Sequence, residues 1–192
     1  MRAIIVEDEK HARDNLEKLL RELDPGIEIQ EKLDSVRGAV AWLRDNQTDL
    51  IFLDVHLADD LSFKIFDQVN VSAPVIFTTA YSEYAVEGFE LSAIDYLLKP
   101  FTYERFLQAA SKANEYYNYT NKQSSAADQF LFIRADYSLV KINIGEILFI
   151  EGLDDYLKIH IQHQKPVIAR MTMKAMTEKL PVDNFIRVHR SY

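Results

Sequence analysis

Four apolar residues in a row, Leu50-Ile51-Phe52-Leu53, run into a carboxylate at Asp54. An unbroken apolar run of this length predicts a strand buried on both faces. Val75-Ile76-Phe77-Thr78-Thr79 repeats the pattern after Pro74, Arg2 to Val6 shows it before Glu7-Asp8-Glu9, and Ala93 to Leu98 shows it before Lys99-Pro100. Ile27 to Leu33 alternates apolar and polar instead, as an edge strand does. Between the strands the apolar period lengthens to three and four. Lys10–Leu23 carries Ala12, Leu16, Leu19, Leu20 and Leu23 on one stripe, with the turn Asp24-Pro25-Gly26 behind it. Ser35 caps a second helix through Asp45, with Val36, Val40 and Leu43 inward. Further helices are predicted near Leu61–Val69, over Glu83–Leu91, and over Thr102–Tyr119, the last with Phe106, Ala109, Ala110 and Ala113 along one side. Five β–α units in strict alternation imply a parallel sheet wrapped on both faces. The carboxyl ends of all five strands then open on one rim, where Glu7, Asp8, Asp54, Thr79 and Lys99 fall together.

Beyond a polar stretch from Asn118 to Asp128 the helical period disappears. Phe130–Arg134, Ser138–Asn143, Ile147–Glu151, Tyr156–Gln162 and Pro166–Ala169 read as short strands separated by turn-like pieces. A short helix over Met173–Leu180 stops at Pro181, and Phe185–His189 reads as strand again. Consecutive strands imply an antiparallel, mostly-β module. The expected division is 1–119, a linker 120–128, and 129–192.

Charge divides the same way. Residues 1–120 carry 12 Lys+Arg against 22 Asp+Glu, whereas residues 121–192 carry 10 against 8 and three of the five histidines. The whole-chain charge of −8 therefore conceals a mildly basic second module, which suggests different partners for the two. No cysteine is present, so disulfides and thiolate metal sites are excluded. No apolar run reaches membrane-spanning length, and Glu7 comes too soon for a signal peptide, so a cytoplasmic protein with no membrane partner is expected.

Crowded carboxylates repel one another, and a hard divalent cation relieves the repulsion; Mg²⁺ suits one or two carboxylates plus waters and phosphate oxygens. A carboxylate can attack phosphorus, and phosphoryl transfer needs mainly positioning and charge neutralisation. Asp54, the neighbouring acids, the Thr79 hydroxyl and the Lys99 ammonium form a set suited to that reaction. A Mg²⁺-dependent phosphatase with an aspartyl nucleophile would need a second acid/base Asp soon after the nucleophile and a capping insertion. His56 stands in the former place and no insertion interrupts the module, so a regulator rather than an enzyme is expected.

Glu7-Asp8, Asp54, Thr79-Ala80 and Lys99-Pro100, at these intervals, resemble the receiver domain of bacterial two-component response regulators. The resemblance implies a flavodoxin-like fold with strand order 2-1-3-4-5. It also implies phosphorylation of Asp54 by a cognate sensor histidine kinase. Mg²⁺ would be held by Glu7, Asp8, Asp54 and the His56 backbone carbonyl, and the phosphoryl oxygens by Thr79 and Lys99. Tyr96 would be the switch aromatic, the Lys99-Pro100 bond would be cis, and activation would form a homodimer through the 83–119 face. Many receivers have a Pro and then a Gly after the phospho-acceptor, where this chain has Ala58 and Ser62. Asp59 and Asp60 in that loop read as solvated charges or as residues that tune the metal site.

Ile147-Leu148-Phe149-Ile150-Glu151-Gly152 followed by Tyr156, and Phe185 through Tyr192, resemble the LytTR DNA-binding domain. That family reads DNA with loops on a β-fold, which implicates Tyr156 and Arg190, the latter on a guanine or a phosphate; Lys158 and Arg187 are further candidate DNA contacts by their charge. Members of that family continue past the Arg-Ser-Tyr, so the output domain is expected to be incomplete at its C-terminal end. A signalling module that acts through protein contacts without DNA is the alternative for this chain.

Overall fold

The computed structural model describes residues 1–81, 93–121, 130–135, 138–181 and 184–189. They divide into two compact units, 1–117 and 118–192, each described by itself.

In the first unit β1 (Arg2–Val6), β2 (Glu28–Leu33), β3 (Leu50–Asp54), β4 (Val75–Thr79) and β5 (Ala93–Leu98) form one parallel sheet in the order β2-β1-β3-β4-β5. β3 and β4 are buried at every position, as their unbroken apolar runs require, while β2 lies at the edge and has no fully buried residue. The pleat sorts the apolar side chains by alternate positions. Ile4, Val6, Ile51, Leu53, Val75 and Phe77 share a core with Val36, Ala39 and Val40 of α2 (Val36–Asp45) and Ile65 of α3 (Lys64–Gln68). On the opposite face Phe52 stacks with Phe106 of α4 (Tyr103–Asn121), ring centroids 6.0 Å apart. Ala109, Ala110 and Ala113 follow Phe106 along α4, all buried, and their small side chains allow the helix to lie close. α1 (Lys10–Leu23) buries Leu16 and Leu20.

In the second unit β6 (Phe130–Ala135) and β7 (Ser138–Asn143) pair antiparallel, and β8 (Ile147–Leu153), β9 (Tyr156–Ile161) and β10 (Val167–Ala169) form an antiparallel sheet in the order β10-β9-β8. Leu131, Ile133, Ile142, Ile150, Leu157, Ile159 and Met176 of α5 (Met173–Thr177) make its core.

Four expectations need correction or placement. The helix expected near Leu61–Val69 shortens to Lys64–Gln68, because the chain first closes a turn: Leu57 donates to the Asp60 carbonyl at 3.1 Å and Ser62 to the Val55 carbonyl at 2.9 Å. α4 runs on to Asn121, into the stretch expected to be linker. Phe185–His189 forms no strand; Ile186 and Val188 are 86% and 79% exposed, and no described strand offers them a ladder. The Glu83–Leu91 helix lies outside the described residues.

One buried charge ties β5 to α4. Asp95 is 3% exposed and takes both Arg105 guanidinium nitrogens, at 2.5 and 3.0 Å, and Lys112 at 3.1 Å. Burial alone would raise the Asp95 carboxyl, but Arg105, the Tyr96 N–H and Lys112 outweigh it and hold it below the usual value. A depressed folded pKa stabilises above the unfolded value, and that stability is lost as pH falls through the folded one. Arg105→Ala should therefore lower the unfolding free energy by about 2 kcal/mol at neutral pH, since it leaves a buried carboxylate half-paired. Urea titrations should show the difference from wild type shrinking as the pH drops below about 4.

Candidate functional site

The carboxyl ends of β1, β3, β4 and β5 meet in a hollow, and the chemistry sits there. Glu7, one residue past β1, is completely buried, Asp54 at the end of β3 is 8% exposed, and Asp8 is exposed. Each offers one carboxylate oxygen to a group spanning no more than 4.8 Å. Lys99, one residue past β5, reaches in from the other side: its Nζ lies 2.7 Å from Glu7 Oε2 and 2.6 Å from Asp54 Oδ2. Asp54 Oδ1 accepts from the His56 N–H at 3.2 Å, and the Glu7 carbonyl accepts from Arg13 of α1 at 2.7 Å.

The electrostatics are those of a site short of positive charge. Burial pushes the Glu7 carboxyl up to about 7; the Lys99 hydrogen bond opposes that rise and the Asp54 charge adds to it. Burial would lower the Lys99 ammonium, but Asp54 and Glu7 together raise it above the usual lysine range. One ammonium thus serves two acids while a third stands beside them. An all-oxygen donor set with surplus negative charge fits a hard divalent cation such as Mg²⁺.

Thr79 and Tyr96 join the hollow through the segment after β4. Thr79 is fully buried, its carbonyl accepts from the Lys99 N–H at 2.6 Å, and its hydroxyl accepts from the Tyr81 N–H at 3.2 Å. The Tyr96 hydroxyl donates to the Tyr81 carbonyl. Tyr81 also faces His56, ring centroids 4.5 Å apart. The Lys99-Pro100 peptide bond is cis.

Two partners had no local signal in the sequence. Tyr81 lies in a run of aromatic and polar residues that carries no periodicity. Asp59 is not a freely solvated charge: it accepts from the N–H groups of Val36 at 2.8 Å and Arg37 at 3.1 Å, capping a helix that begins 23 residues earlier. Asp60 instead pairs with Lys64 at 2.5 Å.

In the second unit Tyr156 opens β9 directly after the turn Asp154-Asp155, where Asp154 has φ 50°. Tyr156, Lys158 and His160 follow at alternate positions on β9. Lys158 lies 3.3 Å from Glu151 Oε1, His160 Nε2 lies 2.9 Å from the same oxygen, and the His160 ring stacks on Phe149 at 4.0 Å. The Lys158 charge is thus partly neutralised, and the turn beside Tyr156 is acidic. The Arg187 Nε donates to the His189 carbonyl at 3.1 Å. Arg190 lies outside the described residues.

Comparison with known proteins covers both units. The family model for the response regulator receiver domain matches residues 3–111, and that for the LytTr DNA-binding domain matches residues 137–192. The sensory transduction protein LytT of Bacillus anthracis is 32% identical over 208 aligned positions, which take in all of this chain and 82% of that protein. The transcriptional regulatory protein LytR of Staphylococcus aureus strain N315 is 34% identical over 203 positions, again all of this chain and 82% of that one. Among solved structures, the response regulatory domain of protein mrkE from Klebsiella pneumoniae superposes with a TM-score of 0.56 at 34% identity, covering 62% of this chain and 98% of that domain. The acidic hollow on a 2-1-3-4-5 sheet, the mostly-β second unit and these matches agree: the chain belongs to the response regulators that join a receiver domain to a LytTR DNA-binding domain.

Proposed function

We propose that Asp54 accepts a phosphoryl group from a cognate sensor histidine kinase and that the modification controls transcription through the LytTR domain. The observation that carries this reading is the Lys99 ammonium held between Asp54 and Glu7, 2.6 and 2.7 Å from their oxygens, in a hollow that Asp8 also enters. An Asp54 carboxylate oxygen attacks the phosphorus of the donor phosphohistidine, the N–P bond breaks, and the imidazole leaves with the electron pair. Mg²⁺ held by Glu7, Asp8, Asp54 and the His56 carbonyl would supply charge neutralisation. Lys99 and the Thr79 hydroxyl hold phosphoryl oxygens on the other side; the Thr79 O–H donates to the phosphoryl group, which draws its oxygen, the acceptor of the Tyr81 N–H, toward the hollow. That displacement reaches Tyr96 through Tyr81, whose carbonyl accepts from the Tyr96 hydroxyl.

A two-state switch moved from 1:99 to 99:1 needs about 5.5 kcal/mol. Two charge-assisted hydrogen bonds supply roughly 1.5–3 kcal/mol each, which meets that figure only at the upper limit, so contacts between two copies across the 83–119 face add to it. In the second unit Tyr156, Lys158, Arg187 and Arg190 are the proposed DNA contacts, in a cytoplasmic regulator that acts by binding rather than by turnover. Against this, the Glu151 pairing of Lys158 and the acidic Asp154-Asp155 turn favour a protein-contact reading for these 192 residues taken alone.

Incubation with the phosphorylated kinase and Mg²⁺ should add the mass of one phosphoryl group to the wild type and none to Asp54→Asn. The phosphorylated sample should sediment as a dimer while Asp54→Asn stays at its starting mass. Binding to random duplex DNA should weaken steeply with salt, with a log–log slope of roughly −0.9 per phosphate contacted. A flat titration would favour the protein-contact reading.

A further inference from the structure

The loop that leaves Asp54 is anchored at a distance. Its own bonds make it a tight unit: Ser62 donates to the Val55 carbonyl at 2.9 Å, Leu57 donates to the Asp60 carbonyl at 3.1 Å, and His56 and Leu61 form an isolated antiparallel bridge. At one end the unit holds the phospho-acceptor, since the His56 N–H donates to Asp54 Oδ1 at 3.2 Å. At the other end Asp59 spreads its two carboxylate oxygens over the Val36 and Arg37 N–H groups, the first two helical residues of α2. These amides have no partner within the helix, and the N-terminal dipole favours an anion beside them. Ser35 already caps the same helix through the Gly38 N–H at 3.2 Å, so α2 keeps a cap of its own whether or not Asp59 is present. The Asp59 side chain is 17% exposed, Arg37 Nε lies 3.6 Å from its Oδ2, and its carboxyl sits below the usual range; burial opposes this, and the α2 amides together with the Arg37 charge outweigh burial.

The anchor point matters because α2 follows β2, and β2 is tied to the acid pair. The Glu7 N–H donates to the Leu33 carbonyl at 2.9 Å, two residues before the Ser35 cap. Asp59 therefore closes a ring of contacts from Asp54 through its loop to α2, and back through the end of β2 to Glu7. The positions of loop and helix that would be set by a stiff backbone are set here by an ion–amide clamp, in a loop with Ala58 and Ser62 and neither proline nor glycine.

We propose that Asp59 is a positioning residue for the phosphorylation pocket: its clamp on the α2 amides holds the Asp54 carboxylate in register with Glu7 and Asp8. This rests on the reading of the hollow as a Mg²⁺-assisted phosphorylation site. Asp59 is not one of the three acids, Glu7, Asp8 and Asp54, that converge in the hollow.

The test compares Asp59→Ala, Asp59→Asn and Ser35→Ala in the full chain by calorimetric Mg²⁺ titration, with amide hydrogen exchange of the metal-free protein alongside. Asp59→Ala should weaken Mg²⁺ roughly tenfold, as loss of a supporting partner does at metal sites. It should also speed exchange at Leu57 and Ser62. Ser35→Ala, which loses a cap from the same helix, should leave Mg²⁺ affinity and loop exchange at wild-type values even where its melting temperature falls. Asp59→Asn, which sheds the charge and keeps one acceptor oxygen, should lie nearer wild type than Asp59→Ala. Equal Mg²⁺ affinity in wild type and Asp59→Ala would overturn the clamp alone. Weaker Mg²⁺ binding in Asp59→Ala with exchange at Leu57 and Ser62 unchanged would assign the effect to through-space charge and overturn it too. A wild-type chain that takes up no Mg²⁺ would overturn the phosphorylation reading, and the clamp with it.

Discussion

Lys99 donates to Glu7 and Asp54 from 92 and 45 residues away, and those two short contacts are where the fold and the chemistry meet. Burial pushes the Glu7 carboxyl up to about 7, the Lys99 hydrogen bond opposes that rise, and the neighbouring Asp54 charge adds to it. The ammonium neutralises one charge and leaves a deficit. A site held short of one or two positive charges has a built-in demand for a divalent cation. On the proposed function Lys99 would exchange a carboxylate contact for a phosphoryl oxygen when the balance changes.

The parallel sheet exists to bring those groups together. β1, β3, β4 and β5 are buried strands whose apolar side chains face α2 and α3 on one side and α4 on the other. Their polar ends therefore have only one place to go. The Asp95–Arg105–Lys112 cluster fixes β5, the strand that delivers Lys99, to α4. Asp59 fixes the loop that leaves Asp54 to α2. Beside the hollow Tyr81 ties together Thr79, Tyr96 and His56.

Much of this was legible in the chain, for a physical reason. Short unbroken apolar runs such as Leu50–Leu53, too short for a helix and bounded by polar residues, read as buried strands, and alternation with amphipathic helices places their carboxyl ends on a common rim, where Glu7, Asp8, Asp54, Thr79 and Lys99 fall. The second unit was readable as consecutive antiparallel strands, since turns such as Asp154-Asp155 punctuate it. What stayed hidden depends on partners distant in sequence. Asp59 looks like a loop charge until α2 is placed beside it. The helix near Leu61 gave up its first turn to backbone bonds that no periodicity reports. The apolar alternation of Phe185–His189 is real, but a strand also needs a ladder, and pattern alone does not supply one.

The account requires that Lys99 and a divalent cation draw on the same carboxylates. Mg²⁺ titration of Lys99→Met against wild type, followed from neutral to alkaline pH, tests this directly. Glu7 sits at about 7 with Lys99 in place and rises when Lys99 is removed, so the comparison is read at the alkaline end, where the acids are ionised in both. Removing the ammonium while keeping an apolar stem should leave the acids uncompensated and tighten Mg²⁺ binding several-fold. Unchanged or weaker binding would contradict the account, because it would mean that the lysine and the cation do not share one site.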